Sequence, residues 1–487
     1  MNYTLVTFVV LYLLGTLAIG VWAGTRIKNT TDFAIAGRSL PLVMVITTTF
    51  ATWFGAETVM GIPAKFVQGG LNAVVEDPFG AGTCLILVGL FFATKLYRQN
   101  LLTIGDFYRQ RYGRGIEVFC SGAIILSYLG WVAAQITALG LVFSVLTNGA
   151  MSETAGMIVG TLAVLVYVVV GGFLAVAWTD FIQMIVLVVG LAIIAVFSAE
   201  LAGGSDKVMA MAASQDLWRF LPEPSFTDVA FFIGAALTMM LGSIPQQDVF
   251  QRVMSAKDER TARNGAVIGG VSYILFAFVP MFIVAAAVVV MGSEAMELAK
   301  NDYQKVLPTF VLTKMPLIMQ ILFFGALLSA IKSTSSATLL APSTSFVENI
   351  LKNLRPGMND RQLLFAMRVT IVTFTALVLA YAIAMKGTSI YDLVSTAYQV
   401  TLVGAFVPLV MGLYWKRATT QGAIFSVAAG IAVWILFFPA VGGEALSKLF
   451  PGQLAGLIAA FIGMVVGSLA PQKLRNRHEA VKHVAAA

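Results

Sequence analysis

Six hydroxyl side chains lie close together in one long apolar stretch of the sequence, residues 309–346. They are Ser329, Ser333, Thr334, Ser335, Ser336 and Thr338. On a helix, Ala330, Ser333 and Thr334 share one face, because residues three and four positions apart are neighbours. Oxygen atoms are the ligands that a hard cation such as Na⁺ prefers, so this face is a candidate ion site. The alternative is that each hydroxyl donates to a carbonyl of its own helix.

Charged side chains inside apolar stretches are a second chemical signal. Lys332 lies in the same stretch as the hydroxyls, and Glu57 lies in another, at 41–66. A charge at the bilayer centre costs about 2.5–3.5 kcal/mol on insertion scales, so each needs a partner, a substrate or water. Lys332 is about 200° around a helix from Ala330 and points towards the side of Ser336. The alternative for Lys332 is a structural role, by snorkelling or in a structural pair.

The composition of the chain assigns these residues to a membrane protein. Of its 487 residues, 59% are hydrophobic and 11% charged, and the mean hydropathy is +0.87. A soluble domain has about 25% charged residues, which excludes a soluble enzyme, a nucleic-acid-binding protein and a disordered chain. Cys84 and Cys120 lie in apolar stretches and predict packing, not a disulfide framework. The sequence predicts no histidine metal site and no nucleophile–base pair, so we expect no enzyme.

Apolar stretches predict the membrane spans of an all-α polytopic membrane protein. Crossing a bilayer takes about 20 apolar residues, and on that basis we expect about 13 transmembrane helices. The predicted spans are 3–24, 41–66, 78–95, 116–148, 154–172, 178–202, 227–252, 264–292, 309–346, 364–385, 390–414, 421–440 and 453–471.

The distribution of basic residues predicts the orientation. Lys and Arg concentrate in alternate connections and in the C-terminal tail, at 26–38, 95–114, 252–263, 352–368, 416–417 and 473–482. Cytoplasmic loops carry an excess of Lys and Arg, so we expect the N-terminus outside and the C-terminus in the cytoplasm. The expected location is the plasma membrane, in bacteria the inner membrane. The net charge of +7 is then an orientation signal and does not indicate an acidic partner.

Two predicted spans are interrupted by glycine and proline in a similar way. The span at 41–66 contains the segment WFGAETVMGIP, and the span at 227–252 contains LGSIPQQ. Such residues free backbone groups near mid-membrane, which is tolerated where the backbone lines a cavity or binds something. The interruptions are five spans apart, which predicts a five-plus-five inverted repeat around a central binding site. The alternative is a pair of ordinary proline kinks.

Several motifs together resemble the sodium/solute symporter family. They are GRSL at 37–40, the interrupted second span, GGFLAVAWTD at 171–180, and LSAI at 328–331 with the hydroxyl cluster that follows. The segments ATW at 51–53, LILVGLFFA at 85–93 and IPQQDVFQRV at 244–253 are most similar to its high-affinity choline transporter branch. The resemblance implies the inverted-repeat fold of the leucine transporter, sodium-driven uptake and alternating access.

The resemblance also implies roles for the candidate ion residues. In the family, the positions of Ala330, Ser333 and Thr334 give Na⁺ one carbonyl and two hydroxyl ligands. The positions of Ala51 and Phe54 give carbonyl ligands.

A second ion region is implied around Asp180 and Ser336, whose positions serve a second sodium site in some members. The alternative for Asp180 is a carboxylate near a helix N-terminus, stabilised by the helix dipole. We hypothesise that the ammonium of Lys332 pairs with Asp180 and replaces the second ion. One Na⁺, or a proton, would then couple transport.

The resemblance to choline carriers points to substrate residues as well. Such carriers hold a quaternary ammonium against aromatic faces, and Trp53 and Trp131 match two tryptophans of that cage. Gln246 stands at the third position, so the cage is incomplete and choline itself is not expected. Glu57, with the amides of Gln246 and Gln247, favours a positively charged or zwitterionic amine. The alternative for each tryptophan is ordinary packing.

The predicted organisation follows from the spans and the interruptions. We expect a first helix and cytoplasmic loop at 1–40, and two five-helix repeats at 41–202 and 227–414. An external loop at 203–226 separates the repeats, and two peripheral helices with a short cytoplasmic tail occupy 415–487.

The predicted function is sodium-coupled symport of a small polar organic solute, such as an amine, a zwitterion or an amino-acid-like molecule. Na⁺ is the coupling ion and no other cofactor is expected. The expected partners are the solute, Na⁺ and the lipid bilayer, without nucleic acid. The alternative is a proton-coupled or uncoupled facilitator of the same fold, with Lys332 replacing a sodium ion. A sensor derived from a transporter would need a C-terminal signalling domain, and the tail after Leu469 is expected to be too short for one.

Overall fold

The computed structural model describes residues 3–25, 27 and 29–474, and helices dominate this part of the chain. We number the long apolar helices along the chain. They are α1 (Tyr3–Gly24), α2 (Leu42–Trp53), α3 (Glu57–Gly69), α4 (Leu71–Tyr97), α5 (Arg114–Leu146), α6 (Glu153–Leu201), α7 (Phe226–Gly242), α8 (Gln247–Ser255), α9 (Glu259–Met291), α10 (Leu317–Leu354), α11 (Asp360–Ala384), α12 (Ile390–Tyr414), α13 (Thr420–Leu436) and α14 (Gly452–Leu469). Shorter helices in the connections are Thr30–Ile35, Ile104–Tyr112, Ser205–Ser214, Ser293–Asp302, Val306–Lys314, Pro439–Gly442 and Glu444–Leu449.

The length and composition of these helices fit a membrane protein. Among the described residues, 8 helices can cross a membrane, or up to 10 if each bent pair is one span. The bent pairs are α2 with α3, at 56°, and α7 with α8, at 45°. Shorter apolar helices lie at Thr4–Ile19, Glu153–Val166 and Thr420–Leu436. The prediction of an all-α polytopic membrane protein is confirmed, and the two interruptions are where the sequence predicts them.

The predicted span at 309–346 begins too early. Residues Val306–Lys314 form a separate short helix, and α10 begins only at Leu317. Pro316 explains the break, because its ring disfavours helical backbone at the preceding residue. Met315 accordingly has an extended conformation, with φ −113 and ψ 151.

The two predicted spans at 154–172 and 178–202 are both present, but the break between them is shorter than predicted. Two helices, numbered together as α6, meet at Gly172, which has φ 52 and ψ −162, and the second helix begins directly beyond it. Asp180 therefore lies about two turns inside the second half of α6. A carboxylate at that depth is not a helix N-terminal group, so this alternative for Asp180 is excluded.

Part of the orientation prediction falls on residues that the structure does not describe. Arg26, Lys28 and the tail from residue 475 onward lie outside the described residues. The orientation of the chain stays a prediction.

Helix α10 is the centre of the helical bundle. Its side chains between Phe323 and Ser345 are almost all buried, although many of them are hydroxyls. It packs against α5, α6 and α2. The end of α2, where the first interruption begins, therefore faces the hydroxyl cluster of α10.

Close packing of α4 against α9 depends on glycine. A Cβ on Gly270 would lie 2.7 Å from the carbonyl oxygen of Gly82, and a Cβ on Gly82 would lie 2.3 Å from Cγ1 of Ile274. Small residues let membrane helices approach backbone to backbone. These two glycines thus fix how closely α4, which follows the first interruption, packs on the bundle.

Replacing Gly270 by alanine is expected to lower the thermal stability of the purified protein. The added methyl group meets backbone, and overpacking of this kind costs about 1–3 kcal/mol of unfolding free energy. The measurement is the Tm in detergent, followed by tryptophan fluorescence. The matched control is Gly325→Ala on α10, where a Cβ meets nothing within 4 Å. Equal losses of Tm in the two variants would contradict this account of the packing.

Candidate ion and substrate site at the interrupted helix

The helical path from α2 to α3 is interrupted at residues 54–56. Phe54 leaves helical geometry with φ −90 and ψ 68. The backbone N–H of Ala56 donates to the side-chain oxygen of Gln135 on α5, at 2.9 Å. A neighbouring helix therefore satisfies backbone that the interruption frees, as burial in a membrane protein requires.

Polar side chains from three helices converge on Gly55. A Cβ at this position would lie 2.5 Å from the hydroxyl of Thr334, 2.6 Å from the carboxylate of Glu57 and 2.9 Å from the amide oxygen of Gln135. Any side chain here would displace at least one of these groups. Glycine is thus required by the close approach of three functional groups.

The interruption does not involve the proline that helped to predict it. Pro63 is the second residue of the regular segment Ile62–Gly69, where a missing N–H is tolerated. Between the interruption and that segment, Glu57–Gly61 forms a wider π-helical turn. Such turns are frequent at functional sites.

Ser333 and Thr334 reach from α10 to the end of α2. The hydroxyl oxygen of Ser333 lies 3.0 Å from the carbonyl of Ala51 and 2.5 Å from a carboxylate oxygen of Asp180. The hydroxyl of Thr334 donates to the carbonyl of Thr52 at 2.8 Å. Carbonyl, hydroxyl and carboxylate oxygens thus gather in one buried place.

The other four hydroxyls of the cluster donate within α10. Their acceptors are the carbonyls of Gly325 for Ser329, Ile331 for Ser335, Ser333 for Ser336 and Thr334 for Thr338, at 2.6 to 2.8 Å. Ser329 also contacts the hydroxyl of Tyr12 on α1. Both interpretations of the cluster therefore apply, each to different residues, and Ser333 and Thr334 are the two that reach the interrupted helix.

The two remaining predicted sodium residues, Phe54 and Ala330, lie within one helical turn along the chain of residues that form these hydrogen bonds. Phe54 is the first non-helical residue after α2, and Ala330 lies one turn before Thr334. Both are fully buried. The structure therefore joins Ala51 to Ser333 directly and keeps Phe54 and Ala330 nearby.

Asp180 and Lys332 do not come together. The carboxylate of Asp180 accepts hydrogen bonds from Thr48 at 2.6 Å and Ser333 at 2.5 Å. Lys332 instead lines a cavity of about 110 Å³ between α1, α5, α6 and α10. The hypothesised pair is thus not formed within the described part of the chain, because Ser333, one residue further along α10, is the residue that points to Asp180. Ser336 turns to its own helix.

Arg252 is a buried cation that sequence reasoning missed. It was assigned to a cytoplasmic connection, yet it is 2% exposed in the structure. It donates to the hydroxyl of Thr52 and to the backbone carbonyl of Asp248, and its guanidinium lies 5.0 Å from the ring centre of Phe173. Its charge attracts the carboxylates of Asp180 and Asp248. The spacing of Asp248 and Arg252, one helical turn, is the sequence signal that could have found this group.

A buried aromatic cluster lies on the other side of the interruption. Its members are Trp53 on α2, Tyr128 and Trp131 on α5, and Tyr398 on α12. Trp131 contacts the other three rings, and the centres of the contacting rings lie 5.5 to 6.1 Å apart; all four side chains are buried. The two tryptophans predicted from the resemblance are therefore together. The tyrosines were missed, although Tyr128 and Trp131 are one helical turn apart.

Two buried carboxylates border the aromatic cluster. Glu57 accepts a hydrogen bond from the indole N–H of Trp131 at 2.8 Å. Asp248 accepts one from the hydroxyl of Tyr128 at 2.5 Å and one from the indole N–H of Trp53 at 3.2 Å. Ring faces and carboxylates both attract cations. This arrangement suits a positively charged group better than an anion.

Gln246 and Gln247 point to different places. The amide of Gln246 donates to the hydroxyl of Ser127 at 2.8 Å, next to Tyr128. The amide oxygen of Gln247 accepts from the backbone N–H of Ile104 at 2.9 Å. The structure therefore brings Gln246 to Ser127, beside a member of the aromatic cluster, and directs Gln247 to the short helix Ile104–Tyr112.

Comparison with known proteins gives independent information on this chain. A family model described as "Sodium:solute symporter family" matches residues 33–430. The chain is 26% identical to the high-affinity choline transporter 1 of Caenorhabditis elegans, over 96% of this chain and 85% of that protein. It is 27% identical to the high-affinity proline transporter PutP of Bacillus subtilis, over 95% of this chain and 98% of that protein. The sodium/pantothenate symporter of Haemophilus influenzae is 26% identical, over 96% and 97%.

Solved structures share the fold at low sequence identity. A Na⁺-coupled sialic acid symporter in a substrate-bound outward-open state gives a TM-score of 0.82 at 20% identity, covering 97% of this chain and 99% of that one. Mhp1, a nucleobase-cation-symport-1 family transporter in a closed conformation, gives 0.58 at 15% identity, covering 89% and 93%. At these identities the likeness shows the fold alone.

The comparisons confirm two predictions from the sequence, namely the family that its motifs resemble and the absence of an enzymatic activity. The matched proteins are transporters and not enzymes, as expected of this chain. The family model covers most of the sequence, including every predicted ion and substrate residue. The chain belongs to the sodium:solute symporter family.

Proposed function

We propose that this chain is a sodium-coupled symporter that imports a small cationic amine by alternating access. The observation that carries the proposal is the convergence at Gly55, where the hydroxyl of Thr334 and the carboxylate of Glu57 meet the same stretch of freed backbone. One group belongs to the candidate ion site and the other to the aromatic cluster. An ion and a solute bound there would both act on the same interruption.

The proposed sodium site lies between α2, α6 and α10. Its ligands are the carbonyl of Ala51, the hydroxyls of Ser333 and Thr334, and the carbonyls of Phe54 and Ala330. The Ser333 hydroxyl already lies within hydrogen-bonding distance of two acceptors, Ala51 and Asp180, although a hydroxyl has one proton to donate. A bound Na⁺ would attract all these oxygens at once. Asp180 would stabilise the ion through Ser333.

The proposed substrate site is the aromatic cluster with Glu57. A cation over an aromatic face gains about 0.5–2 kcal/mol, most where water is excluded. Glu57 is 2% exposed, and no described Lys or Arg lies within ion-pair distance of it. Asp248, in contrast, lies beside Arg252. Glu57 is therefore the carboxylate that a cationic amine would pair with, and Gln246 would add an amide hydrogen bond.

The bent helix supplies a mechanism for coupling. Trp53 ends α2 and Glu57 begins α3, so a solute that contacts both spans the interruption. Na⁺ would join the end of α2 to α10. Alternating access would change the angle between the two halves, which is 56° in this structure, and bound ion and solute would favour one angle together.

The proposed topology adds the three shorter apolar helices to the ten spans, giving the expected thirteen, with inverted repeats at 41–202 and 227–414. Backbone hydrogen bonds join Leu40, before α2, to Ser255, which ends α8, and to Lys257 just beyond it. An inverted repeat requires that the start of its first broken helix and the end of its second lie on one side. We assign this side to the cytoplasm of a plasma membrane, because Arg38, Arg98 and Arg260 lie in the adjoining connections.

The alternative facilitator with Lys332 in place of a sodium ion has less support. Lys332 lines a cavity away from Asp180, and Arg252 is the cation that attracts this carboxylate. A tethered cation in the ion site would require a different rotation of α10.

Loss of two hydroxyls is expected to weaken sodium activation. In proteoliposomes, the double variant Ser333→Ala, Thr334→Ala should raise the Na⁺ concentration for half-maximal uptake by about tenfold or more, since 1.4 kcal/mol of lost ligation is tenfold. The matched control is Ser335→Ala, Ser336→Ala, which removes two neighbouring hydroxyls that donate only within α10. Equal shifts in both variants would refute the site assignment.

The substrate class is tested by uptake after a sodium jump. A panel of radiolabelled amines, zwitterionic amino acids and carboxylates is offered to proteoliposomes, and a cationic amine is expected to be transported best. Glu57→Gln should raise its KM by about tenfold or more, since it removes the charge facing the amine.

The control for this variant is Glu444→Gln, at an exposed position paired only with Lys448. Preference for carboxylates would contradict the amine assignment. Absence of sodium stimulation for every transported solute would contradict symport itself.

A further inference from the structure

A second pair of buried carboxylates lies outside the proposed ion site, near the start of α4. Glu76 and Asp77 are 5% and 2% exposed. Among the described residues, no Lys or Arg lies within ion-pair distance of either. The proposed topology puts them towards the external side, because α3 leads to them from the interruption. Neither the ion site nor the substrate site described above uses them.

A buried carboxylate oxygen without a hydrogen-bond partner marks this place as a site for a ligand. One carboxylate oxygen of Glu76 accepts from Ser395 at 2.7 Å, and the other has no partner. Tyr391, which is 6% exposed, places its hydroxyl beside the backbone of Asp77. Glu76 and Asp77 are the charged groups that interact most strongly with this hydroxyl. Buried polar atoms are nearly always satisfied, so the second oxygen of Glu76 needs a ligand or water.

We infer that Glu76, Asp77 and Tyr391 form an outer recognition site for the ammonium group of a cationic amine. This inference rests on the proposed function and deepens it, since the amine would pause here before reaching the aromatic cluster. The carboxylates supply charge, and the Tyr391 ring supplies an aromatic face.

An ammonium group already stands at the rim of this site. The Nζ of Lys65 lies 5.6 Å from the ring centre of Tyr391 and 3.1 Å from the carboxylate of Asp392. Both charged side chains are partly exposed, in contrast to Glu76 and Asp77. The face of Tyr391 is therefore compatible with an alkylammonium. The Lys65–Asp392 pair lies where an entering cation would first meet the protein.

A chain of hydrogen bonds connects the outer site to the interrupted helix. The hydroxyl of Tyr273 donates to Asp77 at 2.5 Å and lies 2.9 Å from the hydroxyl of Thr58. Thr58 directly follows Glu57, and the carboxylates of Glu57 and Asp77 repel each other electrostatically. A cation moving inward would neutralise the carboxylate of Asp77 first and that of Glu57 next. The two sites would thus bind the same positive charge one after the other.

The test is equilibrium binding of radiolabelled tetramethylammonium to the purified full-length protein in a sodium buffer. Wild type is expected to bind the probe at two sites. The variant Trp131→Ala should lose the central site and keep the outer one. Adding Glu76→Gln and Asp77→Asn to that variant should weaken the remaining binding by about tenfold or more. Tyr391→Phe, which removes only the hydroxyl and keeps the ring, should weaken it to a smaller extent.

Each outcome of this test decides between the two proposals. If binding to Trp131→Ala is absent, or is unchanged by the Glu76 and Asp77 substitutions, the outer site is refuted. If wild type binds tetramethylammonium at a single site and Trp131→Ala leaves that binding unchanged, the outer site is supported and the proposed central amine site is refuted. If the substitutions reduce binding of ²²Na⁺ and not of tetramethylammonium, the site takes Na⁺ and the ammonium assignment is refuted. Gel filtration controls for folding, since each correctly folded variant should elute at the same volume as wild type.

Discussion

The absence of a side chain at Gly55 is the constraint on which the functional centre depends. At this residue the hydroxyl of Thr334, the carboxylate of Glu57 and the amide of Gln135 all lie closer than a Cβ would permit. These groups come from three helices far apart in sequence. The interruption of α2 and α3 is therefore a junction where α5 and α10 are held against freed backbone. A change in the angle of the junction would therefore alter both the proposed ion site and the proposed substrate site.

Charge balance around the junction accounts for the two expected ligands. Glu57, Asp180 and Asp248 are buried carboxylates, and Arg252 is the buried cation that faces the two aspartates. Buried charges are tolerated when they are paired. With the carboxylates ionised, the centre lacks two positive charges. One Na⁺ beside Asp180 and one cationic amine beside Glu57 would supply them, and each ligand would then favour binding of the other.

The parts of this centre that follow local rules could be predicted from the sequence. Glycine and proline located the two interruptions, and helical periodicity placed Ser333 and Thr334 on one face. The resemblance added Trp53 and Trp131. Tertiary packing decided the rest, since Arg252 and Tyr398 reach the centre only because α8 and α12 fold back on α2 and α5. The predicted pair of Lys332 and Asp180 is not found in the part of the chain that the structure describes, because helical periodicity gives the direction of a side chain only relative to its own helix. It does not show which neighbouring helix lies in that direction.

The central claim is that ion and amine bind to one junction and stabilise each other. The most direct measurement is the Kd of the purified protein for tetramethylammonium in Na⁺ and in K⁺ buffer, together with the Kd for Na⁺ with and without saturating tetramethylammonium. Thermodynamic linkage requires the two ratios to be equal, and coupling of this kind is typically about 5-fold to 150-fold. The account predicts equal ratios of about fivefold or more. Affinities for tetramethylammonium that are the same in Na⁺ and K⁺ would contradict it.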